Sequence, residues 1–206
     1  MKRIVIFTFV LGIALYTSAQ KKKNEISKNV FLSASNYLAY PSPTSKLTPA
    51  PKGEKPFYIS HYGRHGSRYL IGKHEYEEPV KVMNKADKEG KLTDLGKDVL
   101  HRLKMMSDES DNRLGELTLL GAQQHQGIAK RMYQRFPEVF ADSAEIDARS
   151  TIVIRCILSM ENELQQLISI NPKLKISHDA SVHDMWYLNF DDRKLAKQKM
   201  DSVTKA

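Results

Sequence analysis

The chain has 206 residues, of which 41% are hydrophobic and 27% charged, enough to build one domain with a sizeable core. The formal net charge of +8 favours an anionic partner. However, the basic residues are scattered instead of being interleaved with aromatic residues in one patch, so we expect a small anionic molecule and no nucleic acid. Cys156 is the one cysteine, which excludes an intrachain disulfide.

Residues 1–19 have the three parts of a secretory signal peptide. Lys2 and Arg3 precede an apolar run over residues 4–16, and small residues end the stretch at Ala19. The apolar run is shorter than the roughly 20 residues that cross a bilayer, so it predicts a cleaved signal and no stable membrane anchor. We therefore expect an exported protein, periplasmic or secreted.

Residues 20–56 are predicted to be an extended lead-in. Prolines recur between Tyr40 and Phe57, with serine and threonine between them. This composition favours irregular, extended backbone. We expect one α/β domain to follow, over residues 57–206.

Residues 57–70 begin with a strand pattern. The apolar and aromatic residues at 57–62 predict a short strand, and Gly63 and Gly66 after it predict a sharp turn. Ligands of open α/β sheets bind outside the carboxyl ends of the strands. The side chains that follow this strand are therefore candidates for a binding site.

Three of those side chains suit phosphate chemistry. Arg64 and Arg68 each offer a planar, permanently charged guanidinium group that matches phosphate oxygens. His65 lies beside them and can act as a nucleophile, a general base or a hydrogen-bond donor near neutral pH. The pattern therefore indicates a phosphate site.

Helices and strands alternate along the rest of the chain. Apolar spacing predicts helices over residues 75–88, 93–106, 118–136 and 151–169. Alternating residues predict short strands over residues 144–148 and 173–177, and a charged helix is expected from residue 191. This order predicts an α/β fold, with a layered and largely parallel sheet flanked by helices.

Three motifs resemble the histidine acid phosphatase family, within the histidine phosphatase superfamily. Residues 64–68 match its RHGxR motif. Residues 117–121, followed by Gln124 and His125, are similar to its LTxxG helix, although residues 92–96 fit that pattern as well. Residues 149–159, which contain Arg149-Ser150-Thr151, Arg155 and Ser159, are similar to its RST...R...S segment.

The resemblance implies a fold, an activity and a set of site residues. It implies a core like that of phosphoglycerate mutase, and hydrolysis of phosphomonoesters through a phosphohistidine intermediate. His65 would be the nucleophile, while Arg64, Arg68 and Arg155 would bind the phosphoryl group. No metal or other cofactor is implied. Tyr69 and residues 177–190 look most like bacterial enzymes of the multiple inositol polyphosphate phosphatase kind, which suggests inositol polyphosphates such as phytate as substrates.

The sequence departs from the family pattern in two places. Leu70 stands where the commoner motif has a proline. The late proton-donor motif, His-Asp or His-Ala-Glu, has no assigned match, so the chain resembles an incomplete, N-terminal part of such an enzyme. His178-Asp179 is an alternative donor, but we expect it in a surface loop that caps residues 181–187. A catalytically silent phosphate-binding chain therefore remains the alternative function.

The other histidines are given structural interpretations. The sequence does not decide whether the side chain of His61 faces the core or the candidate site. His101 and His125 are expected to be helix-surface or packing residues.

Overall fold

The computed structural model describes residues 23–33, 45–46, 48–188 and 193–204. The chain divides into two units, Met1–Thr48 and Pro49–Ala206. In the first unit, residues 23–28 are helical and Val30–Ser33 form a 3-10 helix. The predicted signal peptide and part of the predicted lead-in lie outside the described residues. Within the described ranges, no helix is both long and apolar enough to cross a bilayer.

The second unit alternates helices with two strands. Its first part contains α1 (His74–Lys88) and α2 (Asp94–Glu109), which pack against each other. Then come α3 (Leu119–Arg135), a 3-10 helix (Pro137–Phe140), β1 (Glu145–Ser150), α4 (Ile154–Ile170), β2 (Lys175–Ala180), α5 (Met185–Leu188) and α6 (Arg193–Thr204). The predicted helices and the two later strands are confirmed, with ends displaced by a few residues.

Threonine side chains begin two of these helices. The Thr93 hydroxyl accepts a hydrogen bond from the Gly96 amide at 3.2 Å, and the Thr118 hydroxyl accepts one from the Gly121 amide at 3.1 Å. Each bond satisfies an amide that has no partner within the first turn of the helix. Pro137 follows the end of α3, where proline disfavours helical backbone in the residue before it.

The sheet has two parallel strands within the described residues. β1 and β2 pair in register from Glu145 with Lys175 to Ser150 with Ala180. α4 is the crossover helix between them, as a parallel pair requires. The α/β class and the parallel sheet are therefore confirmed.

A small core lies where α3 and α4 pack together and meet the sheet. Buried Ala129, Phe140 and Leu167 form its centre, and the rings of Tyr133 and Phe140 stack with their centroids 5.7 Å apart. The partly buried residues around this centre are Ile59, Met132, Tyr133, Val139, Ile146 and Leu174. The pairing of α3 with α4 matters for function, because both helices contact residues 64–68.

The strand predicted over residues 57–62 is wrong. This segment has no assigned strand, and Phe57 is 92% exposed, although Ile59 packs against the core. A strand needs a neighbour that takes up its amide and carbonyl groups. Within the described residues, β1 and β2 pair with each other, and residues 57–62 form no ladder with the remaining edge of either strand.

Candidate active site

Gly66 lies against the start of α3, backbone to backbone. A Cβ atom on Gly66 would lie 2.6 Å from the Cα atom of Gly121, and a Cβ atom on Gly121 would overlap the Ser67 carbonyl oxygen. Neither Gly63 nor Gly66 has a positive φ. Glycine at 66 therefore permits this close approach, and the left-handed backbone conformation that favours glycine is not the reason for it.

Thr118 joins the second motif to the first. Its amide and its hydroxyl both donate hydrogen bonds to the Ser67 carbonyl oxygen, at 2.9 Å each. The hydroxyl also caps α3. Thr93, in the other LTxxG match, caps α2 through the Gly96 amide. The contact with Ser67 thus shows that residues 117–121, and not residues 92–96, are the LTxxG match beside the RHGxR loop. The sequence pattern could not decide between them.

Two further side chains hold the backbone around His65. The Gly66 amide donates to the Ser159 hydroxyl at 3.1 Å, and that hydroxyl donates to the Arg155 carbonyl at 2.8 Å. The Ser67 amide donates to the Gln124 side-chain oxygen at 2.8 Å. Helices α3 and α4 therefore fix the peptide groups that follow His65.

Leu70 uses the amide that a proline would lack. That amide donates to the hydroxyl of buried Tyr76 at 2.8 Å. The Leu70 carbonyl accepts from the Gly115 amide at 3.0 Å, and the Tyr69 amide donates to the Glu116 carbonyl at 2.9 Å. A hydrogen bond from α1 thus holds this loop where the commoner motif has a rigid ring.

The His65 ring is held through Nδ1 by the Gly66 carbonyl group. Nδ1 lies 2.8 Å from the Gly66 carbonyl oxygen, which can only accept, so Nδ1 carries the hydrogen in the neutral ring. Nε2 then keeps its lone pair. Burial is the main cause that lowers the pKa of His65 below its ordinary value of 6.5; the Gly66 bond opposes it, and the charges of the nearby arginines add to it.

The structure brings Arg64, Arg68 and Arg155 within electrostatic range of His65. Arg68 Nη1 donates to the Tyr69 carbonyl at 2.8 Å, and Arg155 Nη1 donates to the Gly115 carbonyl at 3.3 Å. The Nε atoms of Arg68 and Arg155 are buried and have no hydrogen-bond partner within the described residues. Buried donors normally have partners, and these guanidinium groups match an oxyanion.

A cleft of about 1220 Å³ opens beside His65. Residues 57–65 line one part of its wall, β1 and α4 line others, and the lining is mostly apolar. Thr151, whose hydroxyl oxygen is buried without a partner within the described residues, lines it as well. Arg64 and His65 line this cleft, whereas Arg68 and Arg155 do not, so the cleft gives the candidate nucleophile room for a substrate on the side of Arg64.

His178 and Asp179 lie in β2, so the expectation of a surface loop is wrong. The register of β1 with β2 continues through both residues, because each pairs with a residue of β1. His178 Nδ1 lies 2.6 Å from a Glu161 oxygen, and Asp179 accepts a hydrogen bond from the Ala180 amide. Neither belongs to the described residues that line the cleft. The hydrogen bonds of this pair are with Glu161 and the Ala180 amide, and neither involves His65.

Glu163 is the site residue that sequence reasoning missed. Its two carboxylate oxygens lie 2.7 Å from His61 Nδ1 and 2.9 Å from His125 Nδ1. The spacing of Arg155, Ser159 and Glu163, four residues apart, puts all three on one face of α4 and could have revealed it. His125 was expected at the helix surface or in packing; it is buried, and both of its ring nitrogens have partners.

Two solved structures of Bifidobacterium longum multiple inositol polyphosphate phosphatase are similar to this chain. In the phosphate complex the identity is 28% and the TM-score 0.54; in the inositol hexasulfate complex they are 29% and 0.52. Each comparison covers 65% of this chain. The resemblance to the histidine phosphatase family is confirmed.

The similarity to these histidine phosphatases covers only part of the length of each neighbour. The chain spans 28% of the length of the first and 29% of the second. No family model matches the chain, and no curated protein does. The described residues contain no group of three or more potential metal ligands.

Proposed function

We propose that this chain is an exported phosphomonoesterase of the histidine phosphatase kind, acting on inositol polyphosphates such as phytate. The main support for this proposal is the orientation of the His65 ring. The Gly66 carbonyl accepts the hydrogen bond from Nδ1, so the lone pair of Nε2 is the one that can attack phosphorus. The neighbouring arginines supply the positive charge that a phosphoryl group needs. Export is supported by the pattern of residues 1–19 alone.

The first chemical step would be phosphoryl transfer. The Nε2 lone pair of His65 attacks phosphorus, and the bond from phosphorus to the ester oxygen breaks with its electron pair going to that oxygen. The leaving oxygen takes its proton from solvent water, because no described residue is assigned as the proton donor. The side chains of Arg64, Arg68 and Arg155 would neutralise the phosphoryl oxygens. Water then attacks the phosphohistidine, which releases inorganic phosphate and restores the neutral ring.

The nature of the neighbours supports an anionic substrate. Their complexes contain phosphate and inositol hexasulfate. Several negative groups on one ring fit a chain with a net charge of +8 and three arginines around one histidine. We therefore propose that the preferred substrates are inositol polyphosphates and not phosphomonoesters with a single charged group.

The leaving-group proton allows a sharp experiment. The aryl oxygen of p-nitrophenyl phosphate leaves without a proton, whereas an inositol oxygen needs one. Release of phosphate from both compounds, lost in His65→Ala, would support the full proposal. Release from the aryl ester alone would show a working nucleophile without a proton donor. Phosphate binding that is lost in Arg68→Ala, without turnover of either compound, would support the silent phosphate-binding alternative.

A further inference from the structure

His125 connects the segment that carries the nucleophile to both long helices of the core. It projects from α3, it is 4% exposed, and both of its ring nitrogens have partners. Nε2 lies 3.1 Å from the Arg64 carbonyl oxygen, and Nδ1 lies 2.9 Å from a Glu163 oxygen on α4. The Arg64 carbonyl belongs to the peptide group that leads into His65.

The chemistry of these partners restricts the protonation of the ring. A carbonyl oxygen only accepts, so the contact with Arg64 requires a hydrogen on Nε2 of His125. The contact with Glu163 requires one further hydrogen between Nδ1 and the carboxylate. Burial by itself would raise the pKa of Glu163, but the hydrogen bonds with His125 and His61 outweigh it and lower this pKa. An ionised carboxylate only accepts, so beside ionised Glu163 the hydrogen belongs to Nδ1.

We propose that His125 is a positioning residue which, as an imidazolium held by Glu163, fixes the Arg64 carbonyl and thereby the position of His65. This inference rests on the proposed function of His65. With His125 in place, a side chain of α3 or α4 holds each peptide group from Arg64 to Arg68. The others are Ser159 at the Gly66 amide, Gln124 at the Ser67 amide and Thr118 at the Ser67 carbonyl.

Beside an ionised Glu163, a neutral His125 could not make both contacts. With its hydrogen on Nε2, its Nδ1 lone pair would face the Glu163 carboxylate; with its hydrogen on Nδ1, its Nε2 lone pair would face the Arg64 carbonyl. The other histidines and charged side chains that line the same cleft as His125 and Glu163 come from three segments. They are His61, Arg64 and His65 before α1, Glu145, Asp147 and Arg149 of β1, and Lys175 of β2.

The chain offers a matched control on the same pair of helices. The Gln126 side chain donates to the Asn162 side-chain oxygen at 3.0 Å, so it also joins α3 to α4. Within the described part of the chain, its side chain forms no hydrogen bond with Arg64 or His65. Gln126→Leu therefore removes a helix-to-helix hydrogen bond comparable to that of His125, while leaving the Arg64 carbonyl held.

The experiment has two readouts on the full chain. Nitrogen-15 NMR of the imidazole rings reports which nitrogens carry hydrogen, and calorimetry measures the Kd for inorganic phosphate. We expect His125 to be protonated on both nitrogens in the wild type. In His125→Phe, the Kd for phosphate should rise about tenfold. The NMR spectrum should also no longer show His65 as a neutral ring with its one hydrogen on Nδ1. Gln126→Leu should change neither quantity by more than about twofold.

Glu163→Gln keeps the size of the side chain and provides a second test if His125→Phe does not fold. It should leave His125 neutral, with its hydrogen on Nε2, and should weaken phosphate binding. A wild-type His125 that lacks hydrogen on either Nε2 or Nδ1 would overturn the inference, as would a folded His125→Phe that binds phosphate as tightly as the wild type. The NMR result stands by itself, so failure of the wild type to bind phosphate would count against the proposed function and not against the protonation state.

Discussion

The carbonyl oxygen of Ser67 accepts hydrogen bonds from both the amide and the hydroxyl of Thr118, at 2.9 Å each. These bonds join the RHGxR loop to the threonine of the LTxxG motif, whose hydroxyl caps α3 at the same time. The two motifs are thus parts of one local structure. The helix motif contributes by holding the backbone beside the candidate nucleophile.

Replacement of this threonine should affect ligand binding as well as stability. Thr118→Val removes the cap and the hydroxyl bond to Ser67, whereas Thr93→Val removes the cap of α2. Each loss of a cap should lower the free energy of unfolding by about 1 kcal/mol. Calorimetry with phosphate should show weaker binding in Thr118→Val and unchanged binding in Thr93→Val. Equal Kd values for the two variants would contradict the role given to Thr118.

The close approach of α3 to the loop predicts opposite effects at two glycines of one helix. Gly121→Ala puts a methyl group into the backbone of residues 66–67, so we expect a loss of about 2 kcal/mol or more and weaker phosphate binding. A Cβ atom on Gly127 would lie 3.1 Å from the flexible end of Arg131. Gly127→Ala should therefore raise the free energy of unfolding by about 0.5 to 1 kcal/mol. Urea unfolding of both variants tests this contrast.

The hydrogen bond between Leu70 and Tyr76 predicts a cost for losing its hydroxyl. Tyr76→Phe leaves the Leu70 amide without its acceptor and should lower the free energy of unfolding by about 1 to 3 kcal/mol. Tyr69→Phe is the control, because the hydroxyl of Tyr69 bonds to exposed Glu109, and its removal should change stability by no more than about 0.5 kcal/mol. Thermal or urea unfolding that shows equal effects would mean that the Leu70 amide does not need Tyr76.

The pair formed by His61 and Glu163 predicts a pH dependence of stability. The hydrogen bond with Glu163 raises the pKa of His61, so its contribution is complete below the ordinary value of 6.5 and is lost as the pH rises through the raised pKa. The pKa of Glu163 is lowered, so its contribution is complete above the ordinary value of 4.5 and is lost as the pH falls. His61→Ala should therefore be most destabilising between about pH 4.5 and 6.5.

His61→Asn is the matched control for this dependence. The asparagine amide can still donate to Glu163 but does not titrate. Urea unfolding across the pH range should show a smaller loss for His61→Asn than for His61→Ala at each pH above about 4.5. The losses of both variants should fall by a similar amount as the pH rises from about 5.5 through the raised pKa of His61, because both lack the titrating ring. A cost of His61→Ala that does not change with pH would contradict the ion pair.

Local sequence patterns predicted much of this fold because several of them are carried by residues close together in the chain. Thr93, Thr118 and Pro137 mark helix ends within a turn of backbone, and the structure has helix ends at these positions. The segment at residues 57–62 has the composition of a strand, but a strand also needs a partner, which composition does not specify. The role of Gly66 depends on Gly121, which is distant in sequence and close in space.

The candidate site divides in the same way. Arg64, His65 and Arg68 stand together in one short motif, so their chemistry could be inferred from the sequence. The contacts of Glu163 with His61 and His125 depend on the packing of α4 against two other segments. A single glutamate or histidine has no neighbouring sequence pattern that reveals such distant contacts. The one exception is the four-residue spacing of Arg155, Ser159 and Glu163, which places them on one face of α4.

Trapping the phosphorylated protein tests the central claim most directly, namely that His65 accepts a phosphoryl group through Nε2. The chain is mixed with phosphorus-32-labelled p-nitrophenyl phosphate, quenched in alkali, and digested to locate the label. We predict an acid-labile, alkali-stable label on the peptide that contains His65, and no label in His65→Ala. Label on another residue, or phosphate release that persists in folded His65→Ala, would contradict the claim.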